Sequence, residues 1–191
     1  PDETRRREIA AAAASAGLAV RIRIAGKPRR ADCELASETG AVAVLSSWLA
    51  PPEWAASLPS CVQVLHPAAD GEPAQEPSLF RPALDRGCPV AIATGARPGR
   101  SATNPQYLLH LAETLFGMTP EEALVAATWN ASCSLRMSHA NGSLEPGKAA
   151  DLLIMDVPDY RELSRRPGES DVFTSMSGGR VVYRRGGLIL D

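Results

Sequence analysis

Apolar positions change their spacing along the chain in a regular way. Asp2 can cap a helix that runs through Arg7, Ile9 and a block of alanines to Ser15, with Gly17 as its stop. Leu18 to Ile24 then alternates, with Val20, Ile22 and Ile24 set against Arg21 and Arg23. A period of two predicts a strand. Residues 31–39 read as a short helix ending at Gly40, and 41–45 as a wholly apolar strand. Pro51-Pro52 opens a helix through Trp54 and Leu58, since proline suits a first helical turn. Residues 61–65 form a third strand, and a loop rich in proline and acid follows from 67 to 77. A helix over 79–86 stops at Gly87, and 88–94 is a fourth apolar strand leading into a loop from Gly95 to Asn104. Apolar strands alternating with helices predict βα units and a parallel sheet, here four units preceded by a helix with no strand of its own.

Two longer helices come next. Asn104-Pro105 starts one that ends at Gly117, and Thr119-Pro120-Glu121-Glu122 starts the other with a full capping box. The second carries Ala123, Leu124, Ala127, Ala131 and Leu135 at helical spacing, which predicts one continuous helix. After Asn141-Gly142 the character changes. Residues 150–156, 180–183 and 188–190 read as short strands between glycine-rich turns, a small β tail.

Composition removes several classes. Of the 191 residues, 45% are hydrophobic and 22% charged, with a net charge of −2, which is too apolar and too balanced for a disordered chain. No run of 18 apolar residues occurs, so no membrane span is expected. Basic residues are not in excess, so no nucleic-acid partner is expected. The 18 arginines against 2 lysines speak of coding bias, not of function. Cys33, Cys61, Cys88 and Cys133 form no C-x-x-C pair and read as reduced, mostly buried thiols of a cytoplasmic protein. The chain begins at Pro1 directly before a helix, which leads us to expect further residues upstream.

Several segments resemble a known family. Leu84-Asp85-Arg86-Gly87-Cys88-Pro89-Val90-Ala91-Ile92-Ala93-Thr94 resembles the approach to the last barrel strand of imidazolonepropionases, a branch of the amidohydrolase superfamily. Gly117 to Leu124 and Ala127-Thr128-Trp129-Asn130-Ala131 are similar to the helix that follows it there. Gly142-Ser143-Leu144-Glu145-Pro146-Gly147-Lys148-Ala149-Ala150-Asp151-Leu152 is similar to the turn where such chains re-enter their β-sandwich, and Pro158 to Leu163 to the tail. The resemblance is specific from residue 84 onward and co-linear before that, over the second half of a typical member. It implies the C-terminal half of a (β/α)8 TIM-barrel amidohydrolase fold plus a small β-sandwich tail. Residues 1–138 would be the partial barrel of about four βα units, and 139–191 the tail.

In such barrels chemistry sits at the C-terminal ends of the strands. The resemblance implies zinc or a similar ion held there by His and Asp, activating a water that opens the imidazolone ring. The family's H-x-H pair would precede Pro1. A metal His matches Arg23, which cannot ligate, and a catalytic His matches about Ser46. The metal Asp follows a Thr and precedes x-Asn-Pro-Gly. Here Thr94-Gly95-Ala96-Arg97-Pro98-Gly99 puts Gly95 in place of that Asp and Arg97 in place of the Asn. Every metal position that can be aligned has departed.

The candidate ligand-binding residues are therefore Arg23, Ser46, His66, Thr94 and Arg97, with no catalytic or metal residue assigned. His66 ends the third strand, where it either faces the barrel mouth or makes an ordinary strand-end hydrogen bond. Arg97 and Arg100 either hold a carboxylate or are solvated. His110 reads as packing and His139 as solvated.

Two main readings stay open. One is a degenerate half, acting as a pseudoenzyme, a fragment or an interaction module. The other is an active hydrolase of cyclic amide or amidine C–N bonds, completed by an upstream segment or a partner chain. A binding protein for a small acidic ligand is the third. No cofactor is expected for this chain itself, and zinc or iron only where the family site is completed elsewhere. A half barrel also predicts open lateral edges near 18–24 and 88–94. It should present a wet inner face carrying Val42, Val44, Val62, Val64, Val90 and Ile92 in some alternation. The chain is thus expected to pair with itself or with a chain carrying the first half.

Overall fold

The computed structural model describes residues 3–24, 26–46, 49–55, 61–66, 77–95 and 104–189. Helix α1 covers Glu3–Ser15, and the βα units follow: β1 Arg21–Arg23, α2 Arg30–Glu38, β2 Ala43–Ser46, α3 Pro52–Ala55, β3 Val62–Leu65, α4 Pro77–Asp85 and β4 Val90–Ile92. The four strands form one parallel sheet in the order β1-β2-β3-β4, so β1 and β4 are its edges, as the alternation of strands and helices predicts. Residues 56–60, 67–76 and 96–103 lie outside the described set, and with them the end of the helix expected from Pro51 and most of both expected loops.

Three further helices follow: α5 Pro105–Phe116, α6 Pro120–Ala127 and α7 Trp129–Ser134. The Asn104 side chain caps α5 by accepting from the Gln106 N–H, and left-handed Gly117 closes it. Thr119 and Glu122 form the capping box of α6. The single helix expected over 119–135 is broken at Thr128, which leaves helical geometry with φ −118° and ψ −82°. Its hydroxyl donates to the Leu124 carbonyl at 2.6 Å, an oxygen that also accepts from the Thr128 N–H at 3.0 Å.

The break lets one stretch of chain serve both faces of the sheet. On the outer face Leu65, Val90 and Ile92 pack with Phe80, Leu108, Phe116 and Ala123 from α4, α5 and α6. Ile22, Ile24 and Val44 continue that face and meet Cys33, Leu35 and Ala36 of α2. On the inner face Ala43, Val62, Val64 and Ala91 pack with Leu45, Ala93, Ala131 and Cys133, so α7 covers them. This corrects two expectations. Val44, Val90 and Ile92 belong to the outer face, and the inner face is small, alanine-rich and largely buried instead of wet.

The tail is a second, antiparallel sheet of β5 Leu152–Met155, β6 Val172–Ser177, β7 Arg180–Arg184 and β8 Gly187–Leu188. Strand β6 was not expected from the sequence. Its Thr174, Ser175 and Ser177 break the apolar run, and its stability comes from pairing on both sides. A buried polar joint fastens the tail to α5. Gln106 donates to Asp171 Oδ2 at 2.8 Å and accepts from the Asp171 N–H at 2.8 Å, and Arg166 closes on Asp171 Oδ1 at 2.6 Å.

Candidate functional site

Strand register decides which residues face the barrel interior. Arg23, Leu45, Val64 and Ala91 lie side by side across the sheet on the inner alternation. Arg23 therefore stands on the inner side at the open β1 edge, and it is exposed. His66 follows Leu65 and continues the alternation of Val64, two residues nearer the mouth, and it is half-buried with bonding partners of its own. Arg23 and His66 thus share a face but stand two strands apart, roughly 10 Å across the sheet. The structure does not bring them together.

Ser46 sits differently. It shares the outer alternation of Val44, is 4% exposed, and donates to the Gly26 carbonyl at 3.0 Å. Its hydroxyl ties the β1–α2 connection to the end of β2, a structural use of a residue read as a mouth position. Thr94 is half-buried, two residues past β4 on the alternation of Ile92. Gly95 takes a left-handed φ of +60° at the place of the expected acid. Arg97 and Arg100 lie outside the described residues. His110 Nδ1 lies 3.0 Å from the Ser164 carbonyl and helps hold the tail, and His139 is exposed.

What these positions offer is a guanidinium, a hydroxyl turned to the backbone, one imidazole and a glycine. A guanidinium has no lone pair for a metal, and a zinc site takes three or four N, O or S donors. Among the described residues no group of three or more His, Cys, Asp or Glu could hold a metal ion. The described residues do not fit the ion that the resemblance implies.

The buried ionic chemistry lies instead beneath the helices. Asp32 of α2 is 1% exposed and accepts from the Arg29 N–H at 3.0 Å and from Arg6 Nη1 at 2.9 Å. Burial alone pushes its carboxyl up, but hydrogen bonds from Arg29 and Arg6 outweigh it and hold the group below the usual carboxylate range. Arg81 of α4 grips Glu122 of α6 through two bonds of 2.9 and 2.8 Å, which holds the Glu122 carboxyl down as well. Cys33 and Cys61 are buried, and burial pushes both thiols up to about 11. The sequence reading also missed Asn130, whose amide donates to the Val90 carbonyl at 2.8 Å. No local motif marks such a contact, because its two ends are 40 residues apart.

No helix among the described residues is long and apolar enough to cross a membrane. The chain is 44% identical over 104 residues to the imidazolonepropionase of Geobacillus kaustophilus, covering 54% of this chain and 24% of that protein. It is 34% identical over 189 residues to that of Geobacillus thermodenitrificans, covering 97% of this chain and 44% of the relative. Among solved structures, an adenosine deaminase from Xanthomonas campestris with bound zinc superposes with a TM-score of 0.71 at 16% identity, over all of this chain and 51% of that one. That likeness shows the α/β barrel-type fold alone. The chain spans less than half the length of these two curated relatives. The family profile described as "Amidohydrolase family" matches residues 34–183, and with the sheet order and the relatives it establishes that the chain belongs to the amidohydrolase family and is imidazolonepropionase-like.

Proposed function

We propose that this chain is an imidazolonepropionase-like scaffold that has given up metal-assisted hydrolysis and serves as a structural or interaction half. The observation that carries the reading is Gly95, which supplies no ligand where the resemblance expects the metal carboxylate. That carboxylate would also shuttle the proton in the hydrolytic reading, so its loss removes two roles at once. Arg23 adds a fixed positive charge on the inner face, where a divalent ion would be repelled. Residues 1–138 would form the half barrel and 139–191 the tail sheet, and the chain would work with the first half of a barrel or with a copy of itself.

The half-buried His66 favours a second reading. It faces the mouth and could serve as a base in an active C–N hydrolase or help bind a small acid. The deciding experiment uses the longest open reading frame that contains residues 1–191. Elemental analysis of the purified protein and ring-opening of imidazolone propionate, with and without zinc, should show neither stoichiometric metal nor turnover. Zinc-dependent turnover that is lost in His66→Ala would overturn the proposal in favour of the hydrolase.

A further inference from the structure

We propose that the Asn141–Gly142 turn is a one-way modification latch. Docked on Ser132, the turn holds the Asn141 carboxamide back from reaction. Once open, it deamidates to an isoaspartate that does not dock again. The inference stands apart from the reading above, because it uses no residue of the barrel mouth.

The sequence singles out the residue. Of the three asparagines, Asn104 precedes Pro105, which has no N–H to attack with. Asn130 precedes Ala131 inside α7, and its own amide is committed to the Val90 carbonyl. Asn141 precedes a glycine, whose missing side chain leaves the following amide unshielded. Among the described residues the Gly142 N–H donates to no acceptor.

The reaction needs only water. Hydroxide takes the Gly142 amide proton, and the nitrogen attacks Asn141 Cγ. The Cγ–N bond forms, the Cγ–Nδ2 bond breaks, and ammonia leaves with a proton drawn from water. Water then opens the cyclic imide at one of its two carbonyls. Opening at Cγ leaves an ordinary aspartate. Opening at the main-chain carbonyl leaves an isoaspartate, with the main chain routed through the side chain and one carbon longer.

The docked turn blocks the first step. Ser132 is 5% exposed, and its hydroxyl donates to Asn141 Oδ1 at 2.5 Å and to the Asn141 main-chain carbonyl at 3.2 Å. One buried hydroxyl thus gathers both oxygens of the residue on one side. In a planar peptide the Gly142 nitrogen leaves the carbonyl carbon away from that oxygen, so the carboxamide is tied away from its attacker.

Space closes the way back. A Cβ on Gly142 would already lie 2.6 Å from Ser132 Cβ and 3.2 Å from the Thr128 carbonyl. Such a seat has no room for a longer main chain. An ordinary aspartate keeps the acceptor that Ser132 serves and fits as the amide does. The isoaspartyl turn therefore stays undocked, beside the Thr128 break between α6 and α7.

The experiment ages the product of the longest open reading frame containing residues 1–191, at mildly alkaline pH, in native buffer and in concentrated guanidinium chloride. Peptide mapping follows the Asn141 amide, with Asn104 and Asn130 as internal controls, and an isoaspartyl methyltransferase counts isoaspartate. Deamidation at Asn141 should be at least about tenfold slower in the native protein, the factor that one neutral hydrogen bond lost on opening represents. Ser132→Ala should raise the native rate towards the denatured one. If that variant lacks the native circular dichroism spectrum, sub-denaturing guanidinium replaces it, and the rate should climb before the global transition. Brief proteolysis of the aged native protein should remove the isoaspartyl molecules, while N141D should resist as the unaltered protein does. Equal native and denatured rates, a Ser132→Ala rate no higher than the unaltered one, a rate that climbs only with global unfolding, or isoaspartyl molecules as resistant as the rest would each overturn the proposal.

Discussion

Replacing Gly142 by alanine should cost far more than replacing Gly147, although both glycines have nearly the same backbone. Their φ values are +91° and +89°, and alanine at either is strained by about 1–2 kcal/mol. The surroundings differ. A Cβ at Gly142 would lie 2.6 Å from Ser132 Cβ and 3.2 Å from the Thr128 carbonyl, while at Gly147 it meets nothing within 4 Å. Neither neighbour of Gly142 can step aside cheaply. Ser132 is 5% exposed, its hydroxyl donates to Asn141 Oδ1 at 2.5 Å, and Thr128 is the hinge between α6 and α7. Overpacking of this kind adds about 1–3 kcal/mol. Gly142→Ala should therefore lose ~3 kcal/mol in all, which for a chain of this size lowers the midpoint by about 10 °C. Gly147→Ala should lose no more than about 7 °C. The measurement is a thermal melt followed by circular dichroism, with the two variants compared at equal concentration. Midpoints within about 2 °C of each other, which correspond to less than about 1 kcal/mol, would show that the turn does not press on Ser132 and would refute the steric argument.

Four further outcomes are expected. Asp32→Asn should destabilise by about 2 kcal/mol in denaturant titrations, because it takes the charge from a buried carboxylate held by Arg6 and Arg29. Since Asp32 and Glu122 are both held below their ordinary values, stability should be fully present above about pH 5 and fall as acid protonates them, and Asp32→Asn should flatten that fall. Cys33 and Cys61 should alkylate far more slowly at pH 8 than a free thiol, as judged by peptide mapping, because burial keeps both protonated. Val90→Asp should abolish the cooperative melt, because Val90 is 1% exposed beneath the outer helices.

The order of elements was legible because each βα unit carries its own local signals. Alternating Val20, Ile22 and Ile24 mark β1, and Pro105, Thr119 and Gly117 punctuate the helices. The break at Thr128 was not legible, since Ala123, Leu124, Ala127 and Ala131 keep a helical period straight through it. What overrides the period is a destination: the second piece must reach the inner face. Strand β6 escaped for the opposite reason, having weak local preference and strong partners. At the site, the position of Gly95 could be read from the flanking Thr94 and Pro98-Gly99. The place of Ser46 could not, because a shift of one residue on a strand moves a side chain to the other face.

Asn130 has a consequence for how such a sheet could grow. A sheet with two open parallel edges could add copies head to tail without limit, each β4 docking on the next β1 and producing a filament. The hydrogen bonds of β4 to β3 run through Pro89 and Ala93, so the Val90 carbonyl points outward, and the Asn130 amide already occupies it. The next chain would have to displace that amide to extend the ladder. A single side chain thus acts as a chain terminator on the β4 side of the sheet, where a further strand could be added only by breaking a bond already made.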